Sequence, residues 1–232
     1  MPELTAIGFD ADDTLWHHER FFKLTQQKFT ELLRDYADPH HLAEHLLAAE
    51  RRNVKHYGFG VKGFTLSMIE TAIDVTDGRV PGHVIGQVLD AGREMLRHPI
   101  EAMPHAEETL AALGNTHKLI LITKGDLFDQ ERKLAASGLG DHFDAVEIVS
   151  DKSAATYRRI FDQHGDGAAH ALMVGNSLAS DIVPALDAGA WGVHVPSDYA
   201  WELDHHEGPS DTTRFRLIRD LRELLPIVAE IG

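Results

Sequence analysis

The apolar stretch Ile7-Gly8-Phe9 ends abruptly in Asp10-Ala11-Asp12-Asp13-Thr14. Three carboxyl groups and a hydroxyl thus arrive together where a buried strand would leave its sheet. Acids this close repel one another, and a fold tolerates them at a strand end when a cation or a tight hydrogen-bond network offsets the repulsion. Asp10 and Asp12 are therefore candidate ligands of a divalent metal. The alternative is a capping cluster that opens a helix at Thr14.

Three later segments have the same form, an apolar strand followed by a polar turn. Leu119-Ile120-Leu121-Ile122 runs into Thr123-Lys124-Gly125-Asp126, a hydroxyl, a cation and a glycine turn that together suit a phosphate oxygen. Thr123 or Asp126 acting as a helix cap is the alternative. Ala145 to Val149 is followed by Ser150-Asp151-Lys152-Ser153, where Lys152 is expected to open a helix. A lysine there opposes the helix dipole unless an anion sits nearby, and a solvated surface lysine is the other reading. Met173-Val174-Gly175 leads into Asn176 and Asp181, whose oxygens could complete a shell for Mg²⁺. Taken separately, they could equally form a turn and a cap.

Those strands need a sheet to line them up. With 232 residues, 43% apolar content, three Trp and ten Phe, the chain can fill a substantial core. From Pro104 onward helix and strand alternate: helix through Leu110 and Leu113, strand Lys118 to Thr123, helix Leu127 to Ser137, strand Ala145 to Val149, helix Thr156 to His164, strand Ala171 to Val174, helix Asp181 to Ala188, strand Gly192 to Val195. A closing amphipathic helix is expected from Leu217 to Val228. Alternation at this spacing requires an α/β fold with a parallel sheet, right-handed crossovers and helices on both faces. Residues 17 to 98 instead read as consecutive helices, with Asp38-Pro39 as cap and first-turn proline and Tyr57 to Phe64 as a glycine-rich break. The expected organisation is a core of residues 1–16 and 99–232 interrupted by an inserted helical domain of residues 17–98.

Composition narrows the chemistry. Lys and Arg total 22 against 37 Asp and Glu, a formal charge of -15, which opposes binding to a nucleic acid polymer or an anionic membrane and suits small or metal-chelated substrates. The absence of cysteine excludes disulfides, thiolate nucleophiles and Cys-type zinc sites. The opening Met-Pro-Glu-Leu lacks a basic segment leading into an apolar core, and no apolar run approaches the ~20 residues that span a bilayer. A cytoplasmic protein is the expectation. Among the 16 histidines, the neighbours His40-His41 and His205-His206 do not share a helix face and read as solvated, whereas His17-His18 follow the acidic turn directly.

Asp-x-Asp-x-Thr, a Thr after a strand, a lone Lys, and Gly-Asn-x-x-x-x-Asp follow in that order, each at a strand's carboxyl end. This succession resembles the four-motif signature of the haloacid dehalogenase superfamily over the whole chain. The resemblance implies a Rossmann-like core and a C1-type helical cap. It departs from the family pattern in three places: Asp13 stands where glycine is usual, Asn176 where aspartate is usual, and Lys124 where many members carry asparagine. The Asn176 departure removes one formal negative charge from the metal shell.

The resemblance further implies a Mg²⁺-dependent hydrolase acting on a small phosphorylated metabolite, such as a sugar phosphate or a nucleoside monophosphate, through an aspartyl-phosphate. Asp10 would be the nucleophile and Asp12 the acid and base. Thr123 and Lys152 would hold phosphoryl oxygens, with Thr14, Lys124 and Gly125 lining the substrate. Asp10, Asp12 through its carbonyl, Asn176 and Asp181 would ligate the metal. A haloacid dehalogenase or a phosphomutase on the same scaffold is the alternative, as is a metal-binding member without turnover. The dehalogenases use no acid at the Asp12 position, since halide departs without protonation. Lys62, in the glycine-rich segment Gly58 to Phe64, is the expected specificity residue of the helical domain, and a monomer or homodimer is the expected assembly.

Overall fold

The computed structural model describes residues 3–197 and 208–232; His205-His206 lie outside them. The chain divides into two compact units, Met1–Glu19 with Ile100–Gly232, and Arg20–Pro99. Chain order gives β1 (Ala6–Phe9), α1 (Glu19–Leu33), α2 (Pro39–Tyr57), α3 (Val61–Val75), α4 (Gly82–Arg97), α5 (Ala106–Leu113), β2 (Lys118–Lys124), α6 (Leu127–Ser137), β3 (Ala145–Val149), α7 (Ala154–His164), β4 (Ala171–Gly175), α8 (Val183–Ala188), β5 (Trp191–His194), β6 (Phe215–Leu217) and α9 (Leu224–Ile231).

In the first unit the six strands pair in parallel in the order β3-β2-β1-β4-β5-β6. The chain therefore builds outward from β1 in both directions, and β1 sits at the switch point where such sheets open a crevice beyond their carboxyl ends. Side chains alternate across the sheet. Ile7, Phe9, Leu119, Leu121, Leu172 and Val174 share one buried layer with Leu110, Leu224 and Val228 of α5 and α9. Ala6, Ile120, Ile122 and Met173 share the other with Tyr157, Ile160 and Phe161 of α7. Burial on both faces is what makes these strands continuous apolar runs. Gly8 falls on the second face, where an added Cβ would lie 2.8 Å from Ile122 Cδ1 and 3.3 Å from Phe161 Cε1. The glycine lets α7 approach the central strand.

The second unit is helical throughout its regular structure and has its own core, in which Phe29, Leu33, Leu42, Leu46, Phe64, Met68, Val84 and Val88 meet. Asp38 caps α2 by accepting from the amides of His40 and His41, with Pro39 at the first helical position. The expected break after Tyr57 is shorter than the glycine content suggests. Gly58 and Gly60 take positive φ of 72° and 108°, but α3 begins at Val61, so Lys62 stands exposed in a first helical turn and not in a loop.

Two further expectations differ from the structure. Phe215–Leu217 is a strand that pairs with β5, Gly192 opposite Phe215. Only after Asp220 caps a short 3₁₀ turn does α9 begin. The spacing of Leu217 and Ile218 fits a helix and a strand equally, and the vacant sheet edge decides. Lys152 does not open α7 either, because Ser153 is the cap, accepting from Thr156 N. Replacing Gly8 by valine should overpack the face beneath α7 and lower the unfolding free energy by about 1–3 kcal/mol, read as a lower urea midpoint; an unchanged midpoint would contradict the close approach.

Candidate active site

The site grows from the end of β1. Asp10 N donates to Val174 O of the neighbouring β4 at 2.9 Å, which carries the β1–β4 ladder one residue past the strand and holds the Asp10 backbone at the switch point. The chain then folds tightly, Leu15 N returning to Ala11 O at 2.8 Å. That turn brings the Thr14 hydroxyl to Asp10 Oδ2 at 3.0 Å and Asn176 Oδ1 at 3.3 Å, while Asn176 N donates to the same hydroxyl at 3.1 Å. His194 of β5 donates from Nε2 to the Asn176 carbonyl at 2.9 Å. The first and fourth motifs are thus tied together by one hydroxyl group.

Lys152 supplies the second tie. Its ammonium lies 2.5 Å from Asp10 Oδ1 and 2.7 Å from Asp181 Oδ1, and the lysine is only 5% exposed. A buried ammonium flanked by two carboxylates is stabilised as the cation, and its pKa stands well above the ordinary lysine range: burial pulls it down, but Asp10 and Asp181 raise it further. Asp181 sits in a π-helical turn, Leu178–Ile182, that precedes α8. Its Oδ2 accepts from Ser177 N at 3.0 Å. At Gly175 a Cβ would meet Asp181 Oδ2 at 2.3 Å, so only glycine lets this carboxylate fold back toward the strand end. Tyr157 braces the turn through Ser180 O at 3.0 Å, and Lys124 Nζ reaches Ser180 Oγ at 2.6 Å.

Asp12 faces a different set of partners. Trp16 Nε1 donates to its Oδ1 at 2.7 Å, Gln130 Nε2 to its Oδ2 at 2.9 Å, and Lys133 Nζ to both at 2.7 and 2.6 Å. His18 Nε2 stands 3.5 Å from Oδ2. Burial alone would raise the Asp12 carboxyl, but His18, Lys133 and the hydrogen bonds hold it well below the usual carboxylate range. Burial lowers His18 to about 4, so near neutral pH Lys133 is the charge that matters. Asp13, where glycine was expected, adopts the left-handed backbone that glycine would favour, φ 61°. Its carboxylate accepts the amides of His18 and Glu19 at 3.0 and 2.8 Å. The capping alternative, a helix opening at Thr14, is not found, since the first helix begins at Glu19.

The structure brings Asp10, Thr14, Lys152, Asn176 and Asp181 into one hydrogen-bonded array. It places Thr123, 1% exposed, in the strand next to β1, with Lys124 bonded into the Asp181 turn. Gly125, φ 150°, lies against Gln130 Nε2. Lys62 belongs to the helical unit. Among the described residues no three His, Cys, Asp or Glu side chains group as a metal site. The oxygen set here is two carboxylates and an amide, linked through the Thr14 hydroxyl and the Lys152 ammonium, and these hard donors fit Mg²⁺. Sequence reasoning missed Trp16 as a hydrogen-bond donor, Gln130, Lys133, Tyr157 and His194. The one available signal was the Gln130, Lys133 spacing on a helix that leaves a site-bearing strand.

Burial, then Asp181 and Asp12, push the Asp10 carboxyl up to about 7 against the pull of Lys152. Below that pH a cation must displace a proton to bind. Mg²⁺ affinity measured by calorimetry should therefore tighten roughly tenfold as pH rises from about 6 to about 8; an affinity independent of pH would contradict this account of Asp10.

The chain matches the family model of haloacid dehalogenase-like hydrolases over residues 4–189. It is 27% identical to the glyceraldehyde 3-phosphate phosphatase of Methanothermobacter thermautotrophicus over 237 residues, 96% of this chain and 100% of that one. A haloacid dehalogenase-like hydrolase from Xanthomonas campestris superposes with a TM-score of 0.85 at 39% identity, over 99% of this chain and 95% of that one. YfnB of Bacillus subtilis, a hydrolase of this superfamily described as bound to magnesium, shares the fold, with a TM-score of 0.68 at 16% identity over 97% and 99% of the two chains. With four-fifths of its length under one family model and this strand-end array at its centre, the chain belongs to the haloacid dehalogenase-like hydrolases.

Proposed function

We propose that this hydrolase is a phosphomonoesterase acting on a small phosphorylated metabolite through an aspartyl-phosphate on Asp10. The observation that carries the reading is the Lys152 ammonium lying on both Asp10 and Asp181, while a second carboxylate, Asp12, stands two residues from the first. A nucleophilic carboxylate, a fixed cation and an oxygen donor set are what phosphoryl transfer needs, because its catalysis is largely positioning and charge stabilisation.

The chemistry follows from the residues. An Asp10 oxygen attacks phosphorus and the bond to the leaving oxygen breaks. Asp12, ionised in the free protein, takes up a proton from solvent as substrate binds, and the leaving oxygen takes that proton from its carboxyl. Ionised Asp12 then takes a proton from water, whose oxygen attacks phosphorus; the bond to Asp10 breaks and inorganic phosphate departs. Lys152 and the Thr123 hydroxyl hold non-bridging oxygens throughout, with Thr14, Lys124 and Gly125 lining the phosphoryl site. Asp10, Asn176, Asp181 and the Asp12 main-chain carbonyl would hold Mg²⁺, which supplies the positive charge that keeps Asp10 ionised and screens the phosphoryl oxygens. The relative that acts on glyceraldehyde 3-phosphate favours a short phosphorylated substrate. Dehalogenation is disfavoured by Asp12, since a departing halide needs no proton. A phosphomutase would differ only in the acceptor hydroxyl.

Wild-type protein with Mg²⁺ should release phosphate from p-nitrophenyl phosphate and from members of a sugar phosphate and nucleotide panel. Asp10→Asn should lose activity by about 10³-fold or more, and chelation should abolish turnover until Mg²⁺ is restored. Chloride release from 2-chloropropionate with no phosphate release would overturn the reading. Lys62→Ala should raise KM for the best panel substrate by about threefold or more and leave kcat within twofold; an unchanged KM would remove Lys62 from substrate recognition.

A further inference from the structure

Helix α6 leaves β2 through the Lys124-Gly125 turn, with Asp126 as its cap accepting from Asp129 N. Its positions 130 and 133 lie on one face, and both are closed off from solvent, Gln130 4% and Lys133 2% exposed. An apolar pair would fill that space without the desolvation penalty of a buried ammonium. The lysine is instead directed at one group. Its Nζ bridges both oxygens of Asp12, and Asp129, one helical turn earlier, stands 3.9 Å from it while bonded to Arg132 at 2.8 Å. Gln130 Nε2 divides itself between Asp12 Oδ2 and the Lys124 carbonyl at 3.1 Å, which links the Asp12 carboxylate to the turn that follows β2. The fully buried Trp16 indole also donates to Oδ1.

Asp12 is thus gripped from α6 and from its own loop. A carboxylate two residues beyond the nucleophile can serve a leaving oxygen only from a restricted set of rotamers, and an error of about 1 Å in such a group costs on the order of 10²-fold in rate. We propose that Lys133, supported by Gln130, is a positioning residue for Asp12, fixing the side chain that delivers the proton to the leaving oxygen. To do so Asp12 takes up a proton from solvent as substrate binds and gives up one of its donors, while Lys133 keeps the carboxyl in place. The inference rests on the phosphoryl-transfer reading for its consequence and on the observed contacts for its geometry.

A purely structural ion pair and a positioning role differ in their dependence on the leaving group. A nitrophenolate departs without protonation, whereas an alkoxide does not. In single-turnover experiments with Mg²⁺, Lys133→Met should slow alcohol release from an alkyl phosphate at least about 30-fold more than it slows p-nitrophenol release from p-nitrophenyl phosphate. In proton–nitrogen NMR spectra the Trp16 indole N–H signal, identified by its loss in Trp16→Phe, should move in Lys133→Met. Where Lys133→Met does not fold, Gln130→Leu removes one donor and should shift the same ratio in the same direction by a smaller factor. Equal slowing of both leaving groups with an unmoved indole signal would overturn the proposal. If the wild type cleaves no phosphate ester, the phosphatase reading fails, and the indole signal alone then decides whether Lys133 holds Asp12.

Discussion

One buried ammonium holds the crevice together. Lys152 arrives from the turn after β3, an edge strand, and places its charge between carboxylates that belong to β1 and to the turn after β4. Without it two buried anions would face each other in a low-dielectric pocket, where repulsion is weakly screened. With it the turns after three strands are joined by two short contacts. Removing one partner of such a cluster leaves a charge buried and unbalanced, which costs about 3–5 kcal/mol. The parallel sheet brings the strand ends to the same edge, and the lysine determines how closely their side chains meet.

The same loop holds its two acids in opposite states. Asp10 sits in a dry environment with Asp181 beside it and is raised to about 7. Asp12, two residues on, is wrapped by donors and lies well below the ordinary range. The tight turn at Ala11 to Leu15 separates them, Asp10 bonding to Thr14 and Lys152 and Asp12 to Gln130 and Lys133 of α6. The proposed tasks run against these resting states: a cation has to ionise Asp10 before it attacks, and Asp12 has to take up a proton before it can give one to a leaving oxygen.

Much of this was legible in the sequence because the relevant signals are local. Buried parallel strands declare themselves as unbroken apolar runs, and each site turn follows one directly, so Asp10, Thr123, Lys152 and Asp181 could be placed at a common edge before any coordinates. The boundaries of α6 and β3 matched, since Asp126, Gly138 and the apolar run leave little choice. What escaped depends on tertiary contact. Lys133 and Gln130 look like ordinary polar helix residues until α6 docks beside the first loop. Asp13 stood out only as a departure from glycine, because its left-handed backbone and its two amide partners are set by the turn. Leu217, the last residue of β6, was read as the start of the closing helix because three residues carry no period, and the edge of β5 decided the pairing.

The crevice depends most on Lys152 acting as the shared counter-ion of two carboxylates. A double-mutant cycle on unfolding free energy, comparing Lys152→Met, Asp181→Asn and the pair, tests this directly. The expected coupling energy is about 2 kcal/mol or more, the double variant losing much less than the sum of the singles. Additive effects would mean that the lysine and the aspartate do not hold each other, and the central arrangement would be wrong.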